Sequence, residues 1–440
     1  MDTLPPPECR GIWYCCGHKV NTLPGHDWVY SGPMATYCAW HRPMAIYAPA
    51  VNRTFFVYGN GDNAPTISCY DHATGRFAYP VVLGSNPDGD AHRNPTLLIE
   101  QGGHLVVFYG AHCHPTKVLR SLTPYDLSAW EQVSDLPDPL TSYPQPWELL
   151  PGEIFVSYRE KRAWTDSEWR CAVSRDGGRT WEPSRELVSL AECSVYGITI
   201  AETGAFPRRL HFVWSRLNGG TEEERQTKHT WARRHHIYYA CSDDGGATWR
   251  RSDGTPYELP ITLDTQEEIY NCGTHGVWLK DIQLDAQGRP FILFIDSEVE
   301  TYRGLWKVGR FDGAAWHFST IAESDHMYDD GGLAILSDDD IRAYIPSTPV
   351  QPSEDGGEIE EWQSTDGGAT WANTKHVTTG SRYSHNNVKI ALNHQLGPGD
   401  VRMFWSYGDS NSPPETDDVR LHCYGEQWGR GTEIEFGEKP

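Results

Sequence analysis

The 440-residue chain has no surplus of positive charge, no long apolar run and no sustained helical period. Its 37 basic and 60 acidic side chains leave a net charge of −23 at pH 7, which argues against a nucleic-acid or anionic-membrane partner. No stretch approaches the roughly 20 apolar residues of a membrane-spanning helix. The opening "MDTLPPPECRG" has neither a basic n-region nor an apolar h-region. The expectation is a cytoplasmic protein, or a secreted one whose leader has been removed. The eleven cysteines are odd in number and follow no small-domain disulfide framework, which favours a reducing compartment.

What is present is punctuation and aromatic residues: 42 Gly, 30 Pro, 18 Trp and 22 Tyr. Short apolar runs ("TLLIE", "HLVVFYG", "EIFVSY", "LHFVWS", "HIYYACS", "RPFILFI") recur between turn signals. That pattern predicts an all-β protein.

Three near-copies of one octapeptide stand out: "SRDGGRTW" (174–181), "SDDGGATW" (242–249) and "STDGGATW" (364–371). They carry the Asp-box pattern, a turn between the third and fourth strands of a propeller blade. The Asp bonds amides of its own turn, Gly takes positive φ and Trp packs between blades. These boxes are structural and do no chemistry. Weaker relatives lie around Asp71, Asp126, Asp312 and Gly425, so that seven markers follow one another at 50 to 68 residues. Each interval holds four short strands, and the count predicts a seven-bladed β-propeller with Asp-box repeats. The expectation is one domain over residues 1–440, the N-terminal segment pairing with the last blade to close the ring.

Residues just before the first strand and just after the second of every blade gather at one face. In "DAHRNPTLLIEQGGHLVVFYGAH", His92 and His112 are symmetric about Gly102. In the third blade Tyr143 and Arg159 are symmetric about Pro151, and in the fourth Tyr196 and Arg216 are symmetric about 206. Opposed residues on paired strands stand roughly 5 Å apart, so three adjacent blades present His/His, Tyr/Arg and Tyr/Arg pairs at one rim. There is no Ser-His-Asp elbow, and these hairpins offer no carboxylate pair of the kind a glycosidase needs. Histidines that titrate near neutrality, phenols that pass a proton and arginines that hold a carboxylate suit β-elimination from a uronic acid. Such a mechanism predicts an inflection of the pH–rate profile at roughly 6 to 7.5.

Through these segments, and through "CAWHRPMAIYAPAVNRTFFVYGN" and "VWLKDIQLDAQGRPFILF", the sequence resembles the BNR-repeat polysaccharide lyases. These are seven-bladed propellers that include ulvan lyases and L-rhamnose-α-1,4-D-glucuronate lyases. The resemblance implies that His92 and His112 are the two active-site histidines and that Tyr143 shares proton transfer. It further implies that Arg159 neutralises the carboxylate and that Tyr196 is a further active-site tyrosine. Arg216 rests on hairpin symmetry alone. Arg42, His275 and His385 complete the set as substrate-binding candidates. The implied partner is an acidic oligo- or polysaccharide containing rhamnose and glucuronate, with no nucleic acid and no membrane. The implied product is a 4,5-unsaturated uronate.

The net charge of −23 fits a pocket acting at chain ends better than an extended basic groove, which ranks rhamnosyl-glucuronate cleavage slightly above ulvan lysis. The rival readings are a sialidase-like glycoside hydrolase, which would release sialic acid without forming an unsaturated uronate, and a non-catalytic carbohydrate-binding propeller. No cofactor is required by this chemistry. A structural calcium or zinc ion is an additional expectation, with His112, Cys113, His114, Cys272 and His275 as candidate ligands for zinc.

Overall fold

The computed structural model describes all residues apart from 1–3, 24–25, 37–39, 87–88, 164–165, 192, 203, 205–207, 219–233, 300, 352–354, 397–400, 410–414 and 440. Among the described residues the chain is built of short antiparallel strands joined in sequence order, with a few short 3₁₀ turns and no α-helix. Among the described residues no helix is long and apolar enough to cross a membrane.

The strands form seven consecutive four-stranded meanders, the blades of a β-propeller. The first runs through Ala45–Ala48, Arg53–Gly59, Pro65–Asp71 and Arg76–Phe77, and the second through Thr96–Ile99, Leu105–Tyr109, Lys117–Ser121 and Trp130–Asp135. The third comprises Thr141–Leu150, Glu153–Ala163, Asp166–Ser174 and Arg185–Val188; the fourth, Cys193–Ala201, Leu210–Asn218, Arg234–Ser242 and Glu267–Tyr270. Gly276–Leu284 opens the fifth, Gly332–Ser337 the sixth and Ser384–Ile390 the seventh. The fourth strand of the seventh blade comes from the other end of the chain. Gly11–Leu23 pairs antiparallel with Glu415–Tyr424, Gly11 opposite Val419. Contacts also join the last blade to the first: Phe404 stacks on Phe56 with ring centroids 4.5 Å apart, and Leu392 bridges Ile46.

Burial explains the strand compositions. Leu105–Tyr109 is buried at every position, whereas Ala372–His376, a fourth strand, is largely exposed. Inner strands are flanked by neighbouring blades and read as continuous apolar runs; rim strands face water and turn polar.

The three Asp boxes are superposable in their bonding. Asp176, Asp244 and Asp366 each accept from the backbone N–H of the Thr four residues on, at 2.8, 2.8 and 2.9 Å, and from its hydroxyl. All three lie between third and fourth strands. Gly246 shows why glycine is needed: its φ is +81°, and a Cβ there would come 2.7 Å from the Phe155 ring of the preceding blade. The tryptophans lock adjacent blades. Trp181 donates to Ser134 Oγ on the second blade at 2.9 Å, and Trp371 to Ser319 Oγ on the fifth at 3.0 Å. Asp71 and Asp312 make shorter versions of the same turn, each accepting from two amides two and three residues on.

Candidate active site

The second-blade hairpin has Leu97 opposite Val107 and Thr96 opposite Phe108, so residue 102 is its centre of symmetry. The ladder stops before the histidines. His92 sits on a short 3₁₀ turn, Ala91–Arg93, whose N-cap is Asp90. His112 follows the second strand, and the next residue, Cys113, is left-handed at φ +58°. The two imidazoles nonetheless meet face to face, with centroids 4.1 Å apart and planes 11° from parallel.

One carboxylate holds them. Asp90 Oδ1 accepts from the His92 backbone N–H at 2.9 Å and pairs with His92 Nδ1 at 2.7 Å, while Oδ2 pairs with His112 Nδ1. An ionised carboxylate only accepts, so Nδ1 of both rings carries the proton. A third histidine supports the turn from behind: His41 Nε2 donates to the His92 carbonyl at 2.9 Å.

The third blade brings Tyr143 and Arg159. Gln145 lies opposite Ser157, in register with a turn centred on residue 151, but Ser142 lies opposite Arg159. The extra residue is a bulge, and Tyr143 within it has φ +57°. The bulge swings the Tyr143 ring under the guanidinium, whose Cζ stands 4.8 Å from the ring centroid and 4.9 Å from that of Tyr196 on the fourth blade. Arg159 also donates to Ser142 Oγ at 3.3 Å. Trp40 packs between the two tyrosines, with centroids 4.9 and 4.5 Å away. Fully buried Gln145 ties this corner together, donating to the carbonyls of Trp40 and Gly197 and accepting from the Thr199 amide.

Burial shapes the charges. It pushes the His112 imidazole down to about 4, helped by the neighbouring His92 and by Arg159 against the opposing pull of Asp90. Burial would raise the Asp90 carboxyl, but the two imidazoles overcome it and hold the group well below the usual carboxylate range. His41, wholly enclosed, is pushed down to about 3. The inflection at 6 to 7.5 expected for a surface histidine therefore moves to lower pH for His112. That ring is also the more open of the pair, its side chain 30% exposed against 7% for His92.

The arrangement thus offers a neutral base, a phenol and a guanidinium within one corner. His92, His112, Tyr143, Arg159 and Tyr196 are brought together as the sequence predicts, and the other four candidates lie elsewhere. Arg216 is opposite Val195, and Tyr196 is opposite Ser215. The one-residue difference puts Arg216 on the other face of the sheet from Tyr196, where its Nε donates to the Tyr238 hydroxyl at 3.0 Å. The turn assumed at 203–208 lies largely outside the described residues. Arg42 reaches instead to the fifth blade, donating to Asp281 Oδ1 at 2.7 Å and to the Ile282 carbonyl at 2.9 Å. His275 pairs with Asp296 at 2.7 Å, in a separate cavity of about 640 Å³ shared with Arg303 and Asp325. His385 is buried in the seventh blade, bonded to Trp405 Nε1 and Ser381 Oγ.

The expected zinc ligands fall in two places. His112 joins Asp90, Cys113 lies beside Ser142, and Cys272 sits against His236 and the His275 carbonyl. Among the described residues, three ligand atoms within 4.8 Å of one another come only from Asp90, His92 and His112, and the hydrogen bonds just described join them.

Hairpin symmetry does not reveal Asp90, Trp40, His41, Arg234 or Trp278. Asp90 had a signal in its Asp-x-His spacing. Arg234, a third-strand residue, had none: its guanidinium lies over Trp278, Tyr196 and Trp40, with Cζ 3.6, 4.2 and 4.8 Å from the ring centroids.

Residues 36–324 match the model of a BNR repeat-containing family member. An ulvan lyase (PL25) from Pseudoalteromonas sp. (strain PLSV) is 24% identical over 376 residues, covering 76% of this chain and 74% of that protein. An ulvan lyase from Nonlabens ulvanivorans is 23% identical over 372 residues, 76% of each. Among solved structures, a PL25 ulvan lyase superposes with a TM-score of 0.74 at 21% identity, covering 90% of this chain and 93% of that one. The same fold match holds for a PL25 ulvan lyase structure bound to -[GlcA(1-4)Rha3S]-.

Proposed function

Starting from the premise that the chain belongs to the BNR repeat-containing family, we propose that it is a polysaccharide lyase that cleaves a rhamnosyl-(1→4)-glucuronate linkage by β-elimination. The observation that carries this reading is the corner itself: two stacked imidazoles, a phenol and a guanidinium on adjacent blades, with Arg159 4.8 Å above the Tyr143 ring.

In this reading the Arg159 guanidinium binds the C5 carboxylate of the uronate. Its charge stabilises the carbanion-like transition state that forms as C5 loses its proton. His112 is neutral at pH 7, because burial holds it at about 4, and is the base available to take that proton. Tyr143, fixed by its bulge with its ring centroid 6.2 Å from that of His92, returns a proton to the departing O4. The bond from C4 to O4 breaks as the C4–C5 double bond forms, leaving a 4,5-unsaturated uronate and a free rhamnose hydroxyl. Tyr196, partly exposed, is the ring against which a sugar packs, and the buried Trp40 and Arg234 back it from inside.

The names of the relatives support ulvan as the polymer class. The net charge of −23 supports action near chain ends, as in L-rhamnose-α-1,4-D-glucuronate lysis, since screening over roughly 8 Å leaves only local arginines to grip a polyanion. Incubation with ulvan and with gum arabic, followed by the ultraviolet absorbance of the unsaturated uronate, tests both levels. Absorbance with either polymer supports the lyase reading, and the faster substrate decides the finer one. Turnover of neither, with release of sialic acid from a sialoglycan, would replace it.

A further inference from the structure

Resting on that reading, the geometry points to Asp90 as a positioning residue that sets the tautomer of both active-site histidines at once. Its two carboxylate oxygens are divided between the rings, Oδ1 to His92 Nδ1 at 2.7 Å and Oδ2 to His112 Nδ1. The His92 amide, donating to Oδ1 at 2.9 Å, fixes the carboxylate in turn.

A neutral imidazole has one N–H and one lone pair, so a partner that only accepts at Nδ1 leaves the lone pair on Nε2. Most histidine–carboxylate pairs settle one ring this way. Here the rings lie 4.1 Å apart and nearly parallel, so one carboxylate settles two and gives them the same orientation. Without Asp90 either ring could turn over, exposing N–H where the reaction needs a lone pair. Asp90 does not touch the substrate in this scheme; it acts through the imidazoles.

Asn is the sharpest substitution, because it keeps the shape and offers one acceptor and one donor. In Asp90→Asn one ring can keep Nδ1–H, while the other must present a bare Nδ1 to the amide. The expected result is a fall in kcat of about 100-fold with KM within about threefold, as for other residues that orient a reactive side chain. In Asp90→Ala, added formate is expected to restore kcat by at least about tenfold by supplying the missing acceptor.

Nitrogen-15 NMR of histidine-labelled protein reads the same property without turnover. Wild type should show Nδ1–H at both His92 and His112, and Asp90→Asn should show one ring converted to Nε2–H. A kcat for Asp90→Asn within about threefold of wild type, or unchanged tautomers in that variant, overturns the inference. Loss of the His92 and His112 Nδ1–H signals on added zinc, with a gain in activity over EDTA-treated protein, also overturns it, by assigning Asp90, His92 and His112 to a metal. A wild type inactive on every uronate polymer would defeat the lyase reading instead, and the NMR comparison would still decide what Asp90 does.

Discussion

Asp90 and Asp355 are both carboxylates shielded from water, and the molecule drives them in opposite directions. Asp90 stands between two imidazoles and is held ionised. Asp355 is fully enclosed between the sixth and seventh blades, where its side-chain partner among the described residues is the neutral amide of Asn386, donating at 2.6 Å. Burial pushes it up to about 7, and nearby Asp330 adds to the rise. Asp329, beside Asp330 on the stretch that leads into the sixth blade, is raised as well, first by burial and then by Asp325. Desolvation acts on all of these groups with one sign. What differs is the strength of the partners: two imidazoles bond Asp90 directly, whereas the Asn386 amide and the Lys280 charge do not offset burial at Asp355.

The largest break in that comparison comes from removing one imidazole. His112→Ala is expected to lower turnover by about a thousandfold or more. Thermal stability should stay close to wild type, because a rim ring that is 30% exposed contributes little core. Unsaturated-uronate absorbance and a melting curve on the same sample check this. Near-normal turnover would rebuild the mechanism around Tyr143 and Tyr196.

Arg159→Lys follows, with an expected loss of about 100-fold, mainly in kcat. An ammonium cannot make the two parallel bonds of a guanidinium to a carboxylate that gains charge in the transition state. A loss confined to KM would mean that the carboxylate is gripped equally before and during reaction.

The pH dependence sharpens the comparison without mutation. His112 must be unprotonated to act as base, and its folded-state value is depressed to about 4. The acid limb of kcat/KM should therefore lie near pH 4, with activity at pH 5 close to that at pH 7. A limb near 6.5 would show His112 to be solvated like a surface histidine, or another group to be the base.

The smallest expected effect is on stability, at the second carboxylate. The folded pKa of Asp355 is raised to about 7 and its unfolded value is near 3.9. The folded state then binds the extra proton between those values, and stability falls as pH rises through the window. Asp355→Asn, which still accepts from Asn386, removes that loss. Its Tm relative to wild type should climb by roughly 2–4 °C between pH 4 and 7, then level off. A flat difference across that range would mean that Asp355 is ionised in the folded protein throughout.

Strand number, blade number and the placement of the three Asp boxes were legible because turn chemistry and short apolar runs are local. Gly at positive φ and Asp over its own amides need no distant partner. The second-blade register was legible for the same reason, since the hairpin is regular from Thr96 to Phe108. Symmetry began to fail in the third blade, where the bulge at Tyr143 adds a residue, and it misplaced Arg216 in the fourth by one position. In a pleated strand a single residue reverses the face, so small register errors cost whole assignments.

The residue types at the rim and their convergence could thus be read along the chain, and the contacts that wall them in could not. Trp40 lodged between two tyrosines and Arg234 laid over Trp278 join blades that are far apart in sequence. Such contacts have no period and no spacing. They exist because close-packed blades bring specific side chains within a few ångströms, and only the packed structure sets which ones meet.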